Sequence, residues 1–201
     1  MLVINLWGGP GAGKTTTAAG LFNALRHKWH LNLELVTEFA TDLCFEQARE
    51  NLKNQIYLLG NQYHRLWRLQ QIGVEAVITD APIGLNDVYG VIYKQPYGEE
   101  MKALIAKLMD QFDHVNILMK RDPNAVGGFK GGSKKRDRWF VDRFDKLLSE
   151  HGPAMDTEIK YSIDAHYDIL NWLEASATED GPIKYSYWKW PFHADETTKP
   201  V

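Results

Sequence analysis

Four short apolar runs, at residues 2–7, 32–37, 76–79 and 115–119, punctuate the first two thirds of the chain. Each is too short for an independent helix and is bounded by turn-forming residues, so each reads as a buried strand. Between them the apolar positions recur at steps of three and four. Ile56, Leu59, Tyr63 and Leu66 mark the core face of a helix over 54–71. Met101, Leu104, Leu108 and Phe112 mark that of a helix over 99–112, and Phe140, Phe144 and Leu147 that of one ending near His151, where Gly152-Pro153 stops it. A first helix follows the first strand to about Arg26, and another helical region extends to about Asn51. Residues 83–90 read as a loop or short helix and 93–99 as a surface connection. Residues 158–162 give a fifth strand, and Asp164 is placed to cap a last helix bearing Ile169, Leu170 and Leu173. Strands alternating with helices at this interval predict an α/β fold: about five strands, mainly parallel, with helices on both faces.

Composition narrows the class without changing that picture. At 201 residues the chain suits one domain with a substantial core, and a single cysteine, Cys44, rules out a disulfide framework. No apolar stretch approaches the ~20 residues of a membrane span and the N-terminal residues lack signal-peptide character, so no membrane partner and a cytoplasmic location are expected. Charge is uneven. Residues 120–143 hold eight basic and three acidic side chains although the whole chain is at −3, so a cationic segment sits on an acidic body. Such a segment calls for an anionic partner.

The candidate chemistry begins after the first strand. Gly8-Gly9-Pro10-Gly11-Ala12-Gly13-Lys14-Thr15, followed by Thr16, has the spacing G-x-x-x-x-G-K-T between strand and helix. This predicts a phosphate-binding loop, in which backbone N–H groups and a helix N-terminus surround a polyphosphate. Lys14 would reach the β- and γ-phosphates and the Thr15 hydroxyl would ligate Mg²⁺. Asp80, at the end of the third strand and followed by Ala81-Pro82, is the expected partner of such a loop, either in the metal site or as acceptor of a proton from an attacking hydroxyl. Glu38 lies just past the second strand, where open parallel sheets bind ligands, with Asp42 one helical turn on. On the helix over 54–71, Gln55 and Gln62 align, as do Asn61, Arg65 and Arg68, either to read a base edge and hold a phosphate or simply as a solvated face.

Residues of about 120–138 combine four glycines with many cations, the composition of a mobile basic lid or of a disordered basic loop. Arg121, Arg136 and Arg138 are its candidates for stabilising a transferring phosphoryl group. The aromatic stretch 184–193 either packs over the domain or offers a stacking surface for nucleobases.

The loop at 8–15, the strand-end Glu38, the Asp80-Ala81-Pro82 turn and the arginine-bearing segment together resemble the thymidylate-kinase-like P-loop kinases, over roughly residues 2–175. The resemblance extends to small bacteriophage members, with Val36-Thr37-Glu38-Phe39 and Ile78-Thr79-Asp80-Ala81-Pro82 carrying it. Thymidylate kinases proper carry Asp-Arg where this chain has Asp80-Ala81, and Arg-Glu-Pro where it has Thr37-Glu38-Phe39. The resemblance implies a P-loop NTPase fold over residues 1–177, with 178–201 as an aromatic tail, and a kinase using ATP and Mg²⁺. Among phage relatives are kinases of 5-hydroxymethyluracil in DNA, a step in thymidine hypermodification, which makes a modified base in DNA an expected acceptor, in host cytoplasm if the chain is of phage origin. The alternatives are a deoxynucleoside monophosphate kinase, a polynucleotide 5′-end kinase and a partner-regulated ATPase.

Overall fold

The computed structural model describes residues 1–28, 31–121, 138–178 and 183–184. Strands β1 (Leu2–Trp7), β2 (Leu33–Val36), β3 (Ala76–Thr79), β4 (Asp113–Lys120) and β5 (Thr157–Lys160) form one parallel sheet in the order β2-β3-β1-β4-β5. Every residue of β1 is buried, as a central strand covered on both faces must be. The helices are α1 (Lys14–Lys28), α2 (Phe39–Phe45), α3 (Gln55–Gln71), α4 (Leu85–Ile92), α5 (Gly98–Met109), α6 (Arg138–His151) and α7 (Ala165–Ser176).

Side-chain alternation along β1 divides the core. Leu2, Ile4 and Leu6 pack with Ala18, Leu21 and Leu25 of α1 and Ile169, Leu170 and Leu173 of α7. Val3 faces the other way, with Leu59 and Leu66 of α3 and Met101 and Ile105 of α5, and Trp7 joins Leu85 and Val88 of α4 and Phe144 and Leu148 of α6. Helices therefore cover both faces, as the pattern predicts. The chain leaves β1 toward β2, returns through β3 and crosses to β4 on the other side of β1, which opens a crevice above the strands' C-terminal ends. A short parallel pair, β6 (Ala177–Thr178) with β7 (Ile183–Lys184), follows α7. The aromatic stretch 185–193 lies outside the described residues.

The structure departs from the sequence pattern in several places. The helical region before Asn51 is divided into α2 and a 3₁₀ turn at Arg49–Lys53, and the segment after Asp80 is a full helix, α4. Ile56 is 53 % exposed, because the buried face of α3 runs through Gln55, Leu58, Leu59, Gln62 and Leu66. Two of those positions are amides, so counting apolar residues alone rotates the face by about one position. Leu104 is likewise 45 % exposed, with Met101 and Ile105 forming the buried edge of α5. Asp164 does occupy the N-cap of α7, but its side chain makes no capping hydrogen bond; its carbonyl accepts from the Tyr167 N–H at 2.8 Å instead.

One polar network lies between β1 and β4. Asn5 Nδ2 lies 3.2 Å from the Val3 carbonyl, 2.9 Å from His114 Nδ1 and 3.1 Å from Asn116 Oδ1, its two protons shared among these three acceptors, and Trp7 Nε1 donates to the same Asn116 oxygen (2.8 Å). With Nδ1 accepting, the ring proton sits on Nε2 and is donated to the Met109 carbonyl at 2.9 Å. Burial lowers the His114 pKa below its usual value, against the opposing pull of the Met109 hydrogen bond and of Asp113 and Asp110. The unfolded chain thus takes up the proton first as pH falls. The stabilisation from neutral His114 is full above about pH 6.5 and is lost as pH drops through the folded value. Thermal melts from pH 7.5 to 5 should therefore show a decline that is shallower in His114→Asn, and an unchanged slope would remove His114 from the account.

Candidate active site

The ends of β1, β2 and β3 meet at one rim. Asn5 pairs with Thr79 and Val36 with Thr79, so the loop after Trp7, the residues after Thr79 and the turn after Val36 all leave the sheet side by side. Residues 8–13 form the turn into α1, with Gly8, Gly11 and Gly13 at positive φ, and the Thr17 N–H closes the first helical turn on the Gly13 carbonyl at 3.0 Å. Pro10, Ala12 and Thr16 belong to the same turn and helix start; Ala12 is buried and Thr16 exposed. Gly13 has φ +79°, and a Cβ there would fall 2.0 Å from the Tyr161 ring. Glycine is therefore demanded twice, by backbone conformation and by an aromatic side chain packed against the loop. Tyr161 is fixed by its N–H donating to the Lys120 carbonyl at 2.7 Å, just beyond β5.

Lys14 folds back over the loop. Its Nζ donates to the carbonyls of Gly8 (2.8 Å) and Gly9 (3.3 Å). Thr15, the next residue, hydrogen-bonds through its hydroxyl to Asp80 Oδ2, bringing together the two residues singled out as metal ligands. Asp80 is 1 % exposed and its other oxygen, Oδ1, has no hydrogen-bond partner. A buried carboxylate oxygen left unpaired is costly, and a hard cation bound by oxygen ligands would satisfy it. The loop therefore offers hydroxyl and carboxylate oxygens suited to Mg²⁺ beside amides and an ammonium suited to phosphate.

The segment after Asp80 is held from below. The Ala81 N–H donates to Thr79 Oγ1 at 3.1 Å, and Gly84 lies so close to the Trp7 ring that a Cβ would be 2.5 Å from it. Trp7, the last residue before the loop, thus packs under the start of α4.

Arg121, at the end of β4, is clamped. Its Nη1 and Nη2 donate to Asp145 Oδ2 (2.9 Å) and Oδ1 (3.0 Å) on α6, and the guanidinium lies against Gly9, where a Cβ would fall 2.3 Å from Nη2. Phe144, fully buried, touches the same glycine. Arg121 is thereby brought to the loop, in a bidentate ion pair. Arg138 opens α6; Arg136 and residues 122–137, the body of the expected lid, lie outside the described residues.

Glu38 stands at the N-cap position of α2, half-buried, with Oε2 accepting from the Thr41 hydroxyl at 3.2 Å. The aligned residues of α3 meet it from above. Gln62 Oε1 accepts from the Phe39 N–H (3.0 Å) and its Nε2 donates to the Thr37 carbonyl (3.4 Å), while Arg65 Nη1 donates to that carbonyl (3.2 Å) and Nη2 pairs with Asp42. Gln62 and Arg65 brace the β2–α2 turn, whereas Gln55, 1 % exposed, leaves its Oε1 unpartnered. Asn61 instead donates to its own helix at Tyr57, and Arg68 is exposed. Tyr161 and Asp145 escape a sequence reading altogether: Tyr161 looks like one more strand residue and Asp145 like one more helix-surface acid, and only the tertiary contacts distinguish them. Among the described residues no group of three or more His, Cys, Asp and Glu side chains could hold a metal ion, so any metal here would depend on the Thr15–Asp80 oxygens and its other ligands.

Gly13→Ala should cost about 1–3 kcal/mol from the positive φ alone, and more from the Tyr161 clash. Nucleotide-dependent thermal stabilisation should be lost or sharply reduced, and combining it with Tyr161→Ala should restore only part of the melting temperature, since the backbone strain remains.

A family model described as AAA domain matches residues 3–155. No curated protein matches the chain in sequence. Among solved structures, the fold is similar to deoxyadenosine kinase from M. mycoides with dCMP and a flexible dCDP bound, at 16 % identity and a TM-score of 0.57, covering 86 % of this chain and 99 % of that one. It is similar also to thymidylate kinase from Ehrlichia chaffeensis, at 18 % identity and a TM-score of 0.53, over 86 % and 98 % of the two chains. A third likeness is to the YorR protein of Bacillus subtilis in complex with phosphorylated GDP, at 18 % identity and 0.53, over 86 % and 95 %. These likenesses share the five-stranded α/β P-loop architecture, and with three quarters of its length matched by the family model, the chain belongs to the AAA-domain family of P-loop proteins.

Proposed function

We propose that this protein is a kinase that transfers the γ-phosphoryl group of Mg·ATP to a nucleotide-like hydroxyl. The observation that carries the reading is the Thr15 hydroxyl bonded to a buried Asp80 whose second oxygen is unpartnered, beside the Lys14 ammonium. Kinases of nucleosides and nucleotides among the similar folds support it.

In this reading Lys14 exchanges the Gly8 and Gly9 carbonyls for oxygens of the β- and γ-phosphates, while the N-terminal amides of α1 and its dipole hold the polyphosphate. Thr15 and Asp80 would hold Mg²⁺, which when bound neutralises charge on the phosphates. Glu38 or Asp80 orients the acceptor and takes its proton as the acceptor oxygen bonds to the γ-phosphorus and the bond to the β-phosphate's bridging oxygen breaks, releasing ADP. Arg121, already against Gly9, is the described cation nearest the loop on the β4 side. Arg136 and Arg138 retain their proposed role on the transferring group. Binding and position supply most of the acceleration in such a transfer.

The acceptor we propose is the 5-hydroxymethyl group of 5-hydroxymethyluracil in DNA. It is supported by the resemblance at Glu38 and Asp80-Ala81-Pro82 and by the net positive charge of residues 120–143, suited to a polyanion. A deoxynucleoside monophosphate is the second reading, favoured by the likeness to thymidylate kinase.

Lys14→Ala should lower turnover by about 10²–10³-fold or more, the scale of losing one transition-state contact, and near-normal turnover would remove the phosphate site. Arg136→Ala or Arg138→Ala should lower kcat more than ATP affinity. Incubation with labelled ATP and either hydroxymethyluracil-containing DNA or free nucleotides tests the acceptor, and label confined to free nucleotides would end the DNA version.

A further inference from the structure

From the ion pair that ties α6 to the end of β4 we propose that Asp145 is a positioning residue for the phosphate loop. It fixes the Arg121 guanidinium at Gly9, where the donors that remain on that cation meet the γ-phosphate. The proposal rests on the kinase reading above and deepens the nucleotide half of that site.

The loop has two ends, and Arg121 stands at one of them. In loops of this spacing the lysine reaches the β- and γ-phosphates while backbone amides cradle the inner ones. Lys14 folds back onto the carbonyls of Gly8 (2.8 Å) and Gly9 (3.3 Å), so the Gly8–Gly9 end serves the outer phosphates and the end that opens α1 serves the inner ones. A Cβ built on Gly9 would fall 2.3 Å from Arg121 Nη2, 2.8 Å from Asp145 Oδ1 and 3.0 Å from the Phe144 ring. The ion pair therefore lies directly against the outer-phosphate end. Lys120, the preceding residue, is turned instead to Glu158 of β5.

The guanidinium is oriented without being saturated. Nη1 donates to Asp145 Oδ2 (2.9 Å) and Nη2 to Oδ1 (3.0 Å), which uses two of an arginine's five N–H groups. Nε is buried and has no hydrogen-bond partner. A buried cationic N–H left unpaired is costly, and an anionic oxygen arriving at the loop would relieve that cost. The bidentate pair also fixes the plane of the fork, so little side-chain order remains to be imposed when the anion arrives. Asp145 has a rigid support for this. Phe144, fully buried, packs on Gly9 and against Tyr89 of α4 with ring centroids 5.0 Å apart, and His151 at the far end of α6 hydrogen-bonds to the buried Asp87 of α4 at 3.0 Å.

Charge alone predicts the opposite of this role. A carboxylate beside a polyphosphate repels it, so a bystander at position 145 weakens nucleotide binding. As the holder of Arg121, the same carboxylate strengthens it, and for the γ-phosphate in particular.

The test is the affinity of the full chain for Mg·ADP and Mg·AMP-PNP by calorimetry, in the wild-type protein, Asp145→Asn, Arg121→Gln and the double variant. Asp145 is 48 % exposed on its helix, and asparagine keeps its size. Asp145→Asn should weaken Mg·AMP-PNP about ten-fold or more, the scale of one hydrogen bond to a charged group, and leave Mg·ADP nearly unchanged. Arg121→Gln should do the same. The double variant should bind no worse than Arg121→Gln alone, because Asp145 acts only through Arg121. Unchanged or tighter Mg·AMP-PNP binding in Asp145→Asn would make the carboxylate a bystander, and equal losses for both nucleotides would make the pair a strut of the fold. Additive losses would separate Asp145 from Arg121. Each of these overturns the proposal, as does an Arg121→Gln protein that keeps the wild-type ratio of the two affinities, whether or not the Asp145 variant folds. A wild-type protein that binds neither nucleotide would instead overturn the kinase reading beneath it, and the proposal with it.

Discussion

The hydrogen bond from Thr15 to Asp80 joins two residues 65 positions apart, and it exists only because β1 and β3 are adjacent and in register. Asn5 opposite Thr79 sets the loop and the carboxylate at one height above the sheet. A slip of one residue would turn Leu2, Ile4 and Leu6 of β1, or Ala76 and Ile78 of β3, away from the cluster they share with α1 and α7, and would separate the hydroxyl from the acid. The burial of β1 on both faces thus fixes the polar site at its end. The same constraint makes Asp80 nearly inaccessible to water, which gives its unpartnered oxygen chemical meaning.

From that junction the surrounding contacts read as braces on three strand ends. Trp7 underlies Gly84 and ties the loop's entry to the start of α4, and its indole N–H reaches Asn116 on β4. Tyr161 closes the loop's far side at Gly13, and the Arg121–Asp145 pair with Phe144 closes it at Gly9. His151, at the end of α6, also hydrogen-bonds to the buried Asp87 of α4 at 3.0 Å. Helix α6 therefore touches both the phosphate loop and the helix that follows Asp80.

Much of this was legible in the chain, for a physical reason. A buried strand must be apolar on both faces, so residues 2–7 and 76–79 declare both their type and their limits. The phosphate loop is legible because positive-φ turns demand glycine at fixed spacing, and Asp80 because a polar residue ends an otherwise apolar run. The pattern fails where polar side chains are buried. Gln55 and Gln62 occupy core-facing positions of α3, which leaves Ile56 outside, and no count of apolar residues registers that. It fails again for residues whose role is a contact across the fold, such as Tyr161 on Gly13, Asp145 on Arg121 and Arg65 on Asp42. Arg65 has the same formal charge whether free to bind an anion or locked to a neighbour, and only the partner tells the two apart.

That distinction bears on how P-loop folds of this kind diverge. The glycine-rich loop presents backbone amides, one lysine and a hydroxyl, and its geometry follows from the loop and the sheet. The side chains around Glu38 stand instead on α2 and α3, of which α3 packs through Leu59 and Leu66 against Val3, Val36 and Val77. Changing which cations there are free and which are paired leaves the core and the phosphate loop untouched, since Arg65, Asp42 and Glu38 contribute nothing to the three apolar clusters. The pairing of Arg65 with Asp42 can thus differ between folds of this kind while the strands hold the glycine-rich loop as it is.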